Sequence, residues 1–160
     1  MHVWPRSLGL VTLLVVSALA PLTAQDLKIP YVAPRPANTL VMLPDGSTVR
    51  VELAKTPAEQ EYGLMGRTSL PEGRGMLFIE PIGRHAYWMY HCKIGLDIVW
   101  MDGDRRIVEM SPDTPPCRGK STTCPTYGGH LDSQYVLELP VGDIKKHHLA
   151  DGEQIEFSVQ

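Results

Sequence analysis

Apolar and polar residues alternate along residues 48–53, with Val49, Val51 and Leu53 on one side and Arg50 and Glu52 on the other. A period of two marks a strand with one buried face and one wet face. Residues 40–43 have the same character, and Pro44-Asp45-Gly46 between the two runs is a turn signal, so a hairpin is expected. The period then changes. Ala58, Tyr62 and Met65 recur at helical spacing behind Thr56, with Pro57 next and Glu59 three residues after Thr56. This is a capping box, and proline at the first helical position lacks only an N–H that a helix leaves unpaired anyway. Gly66 is the expected left-handed C-terminal cap, and Gly63 is expected to let the backbone approach the sheet. Further strand-like runs cover residues 76–79, 86–90, 97–101 and 106–110, and Asp102-Gly103-Asp104 turns the last two into a hairpin. Residues 111–132 (SPDTPPCRGKSTTCPTYGGHLD) read as a long loop, a feature that is usually functional or stapled. Strands at 134–139 and 154–159, joined by a short helix at 142–149, complete the pattern. Many short strands with regular turns predict a mainly β fold: a single compact antiparallel barrel or sandwich with one or two short helices.

The N-terminal stretch breaks this pattern. Arg6 precedes an apolar run from Leu8 to Ala20, and Leu22-Thr23-Ala24 offers a cleavage site. These are the parts of a secretory signal, so residues 1–24 are expected to be a signal peptide cut near Ala24. The apolar run is shorter than the roughly 20 residues that span a bilayer. The product is expected to be periplasmic or extracellular, with no stable membrane insertion after cleavage. Residues 25–39 carry three prolines in QDLKIPYVAPRPAN and read as an extended linker. Residues 40–160 then form one domain. Fifteen Lys and Arg against 18 Asp and Glu give a net charge of −3, which is no electrostatic footprint for nucleic acid.

An exported chain meets oxidising surroundings, where cysteines pair by default. Cys117 and Cys124 flank the short polar loop RGKSTT and are the expected disulfide. Cys92 is left as a partly buried thiol. Zinc held by the three cysteines and His91 is the rival, but no C-x-x-C pair is present.

The runs GLMGRTSLPEGRGMLFIE, YWM, GLDIVWMDGDRRIVEM, PPC…CPTY and YVLELPVG occur in this order. In this the chain resembles the bacterial and archaeal domain of unknown function 192 family over roughly residues 48–157. The resemblance implies a compact, mainly β fold and, commonly, an exported protein. It implies no established activity. After Trp88-Met89 family members often continue with a basic residue, asparagine and threonine, whereas this chain has Tyr90, His91 and Cys92.

Candidate chemistry centres on Asp97, a carboxylate among apolar neighbours in IGLDIVWM. Asp97, Val99 and Met101 are expected on one strand face and Leu96, Ile98 and Trp100 on the other. A buried carboxylate must be paired or hydrogen-bonded. It is either a structural acceptor or a ligand anchor, with Arg67 as the favoured partner and Arg84 as the alternative. Trp88 and Tyr90 share a face and are core aromatics or a stacking platform. Tyr127, His130 and Asp132 follow the stapled loop and can rim a site. The leading expectation is a small ligand-binding or accessory module of the envelope, acting on an unknown small molecule or envelope protein. Its site would involve Arg67, Trp88, His91, Asp97 and Tyr127, with no cofactor and no metal. One alternative is a hydrolase using Asp97 with His91 or His130. The other is a copper or zinc carrier using Met76, Met89 or Met101 with His91 and Cys92, although methionine in apolar strands is normally core filler.

Overall fold

A computed structural model describes residues 31–33 and 36–159. The signal peptide expected at residues 1–24 and part of the linker lie outside the described residues. Strands β1 (Thr39–Met42) and β2 (Thr48–Ala54) form the expected hairpin. Helix α1 (Pro57–Tyr62) leads into β3 (Arg74–Gly83), the short β4 (Tyr87–Trp88), β5 (Leu96–Met101) and β6 (Ile107–Thr114). The stapled loop contributes one 3-10 turn (Ser121–Thr123) and β7 (Thr126–Tyr127). β8 (Ser133–Pro140), α2 (Asp143–Lys146) and β9 (Glu156–Phe157) follow.

Seven strands form one sheet in the order β6-β5-β8-β3-β2-β1-β9, and β4 pairs with β7 in a separate ribbon. The pairs are antiparallel except β2 with β3, which run parallel because α1 and its following turns carry the chain back to the same sheet end. The sheet curls until its edges are bridged. Ile107 N–H donates to Glu153 C=O at 2.8 Å and Ile155 N–H to Arg105 C=O at 3.0 Å, while Glu156 and Phe157 pair with β1. The fold is thus mainly β, a curled half-barrel with two short helices, as the strand pattern predicts.

The curl produces two cores. The concave face buries Val49, Val51, Leu77, Val99, Met101 and Leu137, and Ile144 and Leu149 of the α2 segment pack into it. The convex face buries Met76, Phe78, Leu96, Ile98, Trp100 and Val136 beneath Leu64, Met65 and Met89. The split of β5 into Val99 and Met101 against Leu96, Ile98 and Trp100 matches the predicted alternation. Every residue of β5 is buried, because both faces of the sheet are covered there.

The capping box of α1 forms as expected: Glu59 N–H donates to Thr56 Oγ1 at 3.4 Å, and Glu59 Oε2 accepts from Thr56 N–H at 3.0 Å. The helix ends earlier than predicted. Gly63, not Gly66, is its cap, with φ of 45° and its N–H donated to Glu59 C=O at 2.8 Å. A Cβ at Gly63 would sit 3.2 Å from the Phe78 ring, which is the expected close approach to the sheet.

Candidate functional site

The convex face carries an uncommon load of buried polar groups. Glu52 of β2 points to the same face as Ala54, and Arg67 follows the turn after α1. Arg67 donates a two-pronged pair to Glu52, Nη1 to Oε1 at 2.6 Å and Nη2 to Oε2 at 2.7 Å. This fork–fork geometry is the strong form of an arginine–carboxylate contact. It raises the Arg67 pKa chiefly through the Glu52 hydrogen bonds. The expected partner, Asp97, is not involved, which corrects the pairing read from sequence. Asp97 lies on the concave face of β5 with no exposed surface. Its Oδ1 accepts from Asp113 N–H at 2.8 Å and its Oδ2 from Ile144 N–H at 2.7 Å. The carboxylate therefore ties the irregular end of β6 and the start of α2 to the sheet.

Glu138 is the residue that sequence reasoning missed. It sits on β8 opposite Met76 of β3 and Ile98 of β5, at the centre of the sheet. It is 5% exposed, and its Oε2 accepts no hydrogen bond among the described residues. Burial pushes its pKa up to about 8, against the pull of Arg67. The signal was in the sequence: one carboxylate in the apolar run YVLELP, the same signature that singled out Asp97.

Glu138 forms part of the floor of a cavity of about 30 Å³ that is also lined by Leu64, Phe78, Tyr87, Trp88 and Cys92. Burial pushes the Cys92 thiol up to about 12, with Glu138 adding to the rise, so Cys92 is a thiol and not a thiolate. Above the cavity lies an open groove of about 310 Å³ between α1 and the β3–β4 segment. Gln60, Glu61, Tyr87 and Trp88 line both spaces, so the groove and the cavity adjoin at these side chains. Glu80, Arg84 and His85 complete the rim of the groove. Tyr87 donates to Glu80 Oε1 at 3.0 Å and stacks edge-on against Phe78 and Trp100. Burial, first, and the nearby carboxylates of Glu80 and Glu138 push the Tyr87 phenol far above its ordinary range. Trp88 is half-buried and leans on Tyr90 with ring centroids 5.1 Å apart, so the two share a face as expected.

The predicted site residues separate into four places, the buried concave-face position of Asp97 being one. Trp88 and Tyr127 are near one another through the β4–β7 ribbon, where Tyr127 opposes Tyr87. Arg67 lies behind the cavity with Glu52. His91 is exposed on the turn after β4, with φ of 58°, and its ring meets Tyr90 edge-on at 4.0 Å. It lines a second, shallow groove of about 200 Å³ with Cys92, Lys93, Arg118 and the Cys117 half of the disulfide. Cys117 and Cys124 are bonded, as expected, and Cys92 is a buried free thiol. His130 is exposed and its ring bonds Glu109, so neither His91 nor His130 reaches Asp97 by a hydrogen bond. Met76, Met89 and Met101 are core side chains. Among the described residues no three His, Cys, Asp or Glu side chains converge to hold a metal ion.

A mainly β half-barrel with an open groove beside a small cavity that a buried carboxyl group lines is the class that fold and site define. The chain belongs to the DUF192 family, described as "Uncharacterized ACR, COG1430", which it matches over residues 40–157. It is similar to a solved protein of unknown function from Novosphingobium aromaticivorans DSM 12444, with 28% identity and a TM-score of 0.66 over 80% of this chain and 95% of that one. It is also similar to a Sinorhizobium meliloti 1021 protein that carries a provisional label as a transcription regulator, with 26% identity and a TM-score of 0.65 over 74% of this chain and 91% of that one. No curated protein matches it.

Proposed function

We propose that the protein is an exported module of the cell envelope that binds a small molecule in the groove between α1 and the Tyr87–Trp88 segment. One observation carries this reading: an open groove of about 310 Å³, walled in part by Tyr87 and Trp88, adjoins a small cavity lined by a buried carboxyl group. The volume is at the lower end of the range for small-molecule sites, roughly 300 to 1,000 Å³. The site differs from the sequence expectation in its members: Trp88 stays, Gln60, Glu61, Glu80 and Glu138 join, and Asp97 is part of the scaffold. The thiol of Cys92, buried and held protonated, argues against a nucleophile–base pair in the cavity. The regulator label of the Sinorhizobium protein is not carried over, because a net charge of −3 supplies no attraction to a phosphate backbone.

Export is supported by the three-part N-terminal segment and by the oxidised Cys117–Cys124 pair. Cell fractionation with N-terminal sequencing tests it: an envelope fraction starting near Gln25 is expected, and an intact cytoplasmic chain overturns it. For the groove, two-dimensional amide NMR of the processed protein against a small-fragment library is the direct test. Shifts clustering on Gln60, Glu61 and Trp88, and lost in Trp88→Ala, are expected. Fragments that shift only residues remote from α1 and β4 would sink the assignment.

A further inference from the structure

The deepest polar atom beneath the groove lacks a protein partner. Glu138 Oε2 is buried and accepts no hydrogen bond among the described residues, and Glu138 lines the small cavity. Buried carboxyl oxygens normally find a donor. The nearest fixed cation cannot serve fully, since both prongs of Arg67 are held by Glu52. A cavity of about 30 Å³ suits one water-sized group, and an ammonium head is of that size. The walls around it include the rings of Tyr62, Phe78, Tyr87 and Trp88. Aromatic rings attract a desolvated cation. The rim repeats the sign: Glu61 and Glu80 line the groove, while Arg84 is drawn off toward Asp132 at 3.8 Å.

We infer that the groove takes a small primary amine, with its ammonium head in the cavity against the Glu138 carboxyl group and its body against Trp88. This rests on the groove reading above and names its ligand class. The charges balance only if Glu138 gives up its proton to solvent as the ammonium enters, because burial holds the free carboxyl at about 8. The other charged or titratable groups around Glu138 and its cavity are Glu61 and Tyr62 of α1, Arg67 with its partner Glu52 from the α1–β3 turn and β2, Tyr87 from β4 and Cys92 from the turn after it. Arg67 stays charged, and Tyr87 and Cys92 stay protonated at neutral pH, since each is pushed upward. Glu61 is exposed, so Glu138 is the buried carboxyl in the cavity whose titration binding will move.

Benzylamine and benzyl alcohol share a shape and differ in charge, so calorimetric titration of both into the full processed chain tests the inference. Benzylamine is expected to bind at least about tenfold more tightly at neutral pH. Its affinity is expected to rise about tenfold per pH unit below the Glu138 pKa, with close to one proton released per amine bound. Glu138→Gln is expected to lose the amine preference and keep the alcohol. Equal affinity of the two probes in the wild type, or amine binding without proton release, overturns the amine assignment while the groove reading stands. Binding of neither probe, with no fragment hits on Trp88, overturns both. The wild-type comparison needs no variant, so a misfolded Glu138→Gln does not rescue the proposal.

Discussion

Replacing Glu138 by glutamine keeps the shape of the side chain and removes its charge. The consequence is a stability difference that depends on pH. An ordinary glutamate titrates at 4.5, and burial in the convex core pushes Glu138 up to about 8 despite Arg67. Across that window the folded chain holds a proton that the unfolded chain has released. Wild-type stability from this group is fully present below 4.5, declines as pH rises, and levels off past about 8. Each tenfold step is worth about 1.4 kcal/mol, so the whole decline is at most roughly 5 kcal/mol. Local relaxation and water entry reduce the penalty of a buried charge, so a decline of about 2 to 5 kcal/mol is expected. Glutamine does not titrate, and every other ionisable group is common to both proteins. Urea unfolding followed by tryptophan fluorescence, repeated from about pH 4.5 to about pH 9, isolates the effect. The two proteins should lie within about 1 kcal/mol of each other at the acid end. Glu138→Gln should then lead by about 2 to 5 kcal/mol at the alkaline end. Parallel curves, or a wild type that gains on the variant as pH rises, would refute the burial argument.

Other perturbations follow from single contacts. Asp97→Asn replaces one of two acceptors with an N–H₂ group facing a backbone N–H, and should lower unfolding stability by about 2 to 4 kcal/mol; a change under about 0.5 kcal/mol would show that the two bonds contribute nothing. Gly128→Ala places a Cβ 2.3 Å from Trp100 Cζ2 at a φ of 67°, and thermal melts should show a loss of about 3 kcal/mol or more with altered near-ultraviolet tryptophan dichroism. An unchanged melt there contradicts the packing described for Trp100. Serine at both Cys117 and Cys124 releases a loop with a sequence separation of 7 and should cost about 2.5 kcal/mol of chain entropy, measured by urea unfolding under non-reducing conditions. Thr56→Ala removes the side-chain acceptor of the capping box and should cost about 1 kcal/mol.

Local rules account for much of this molecule. The period-two alternation of residues 48–53, the Pro44-Asp45-Gly46 turn and the Thr56-Pro57-Glu59 cap each fix one element through contacts a few residues long. The Cys117–Cys124 closure is equally local. The face assignment of β5 follows from strand geometry alone, and the order of the family's motifs gave the fold class. What the sequence could not decide is which faces meet. Arg67 and Asp97 both invite an ion pair, but the curl of the sheet puts them on opposite sides, so Arg67 takes Glu52 and Asp97 takes two backbone N–H groups. Gly63 ends the helix ahead of Gly66 at a positive φ and packs so closely on the Phe78 ring, fifteen residues on in the chain, that a Cβ there would sit 3.2 Å from it. Glu138 looks in sequence like the wet half of an alternating strand. Only the packing of α1 and the β4 segment over the convex face turns it into a buried carboxyl, because burial is a property of what lies across the sheet and not of the strand itself.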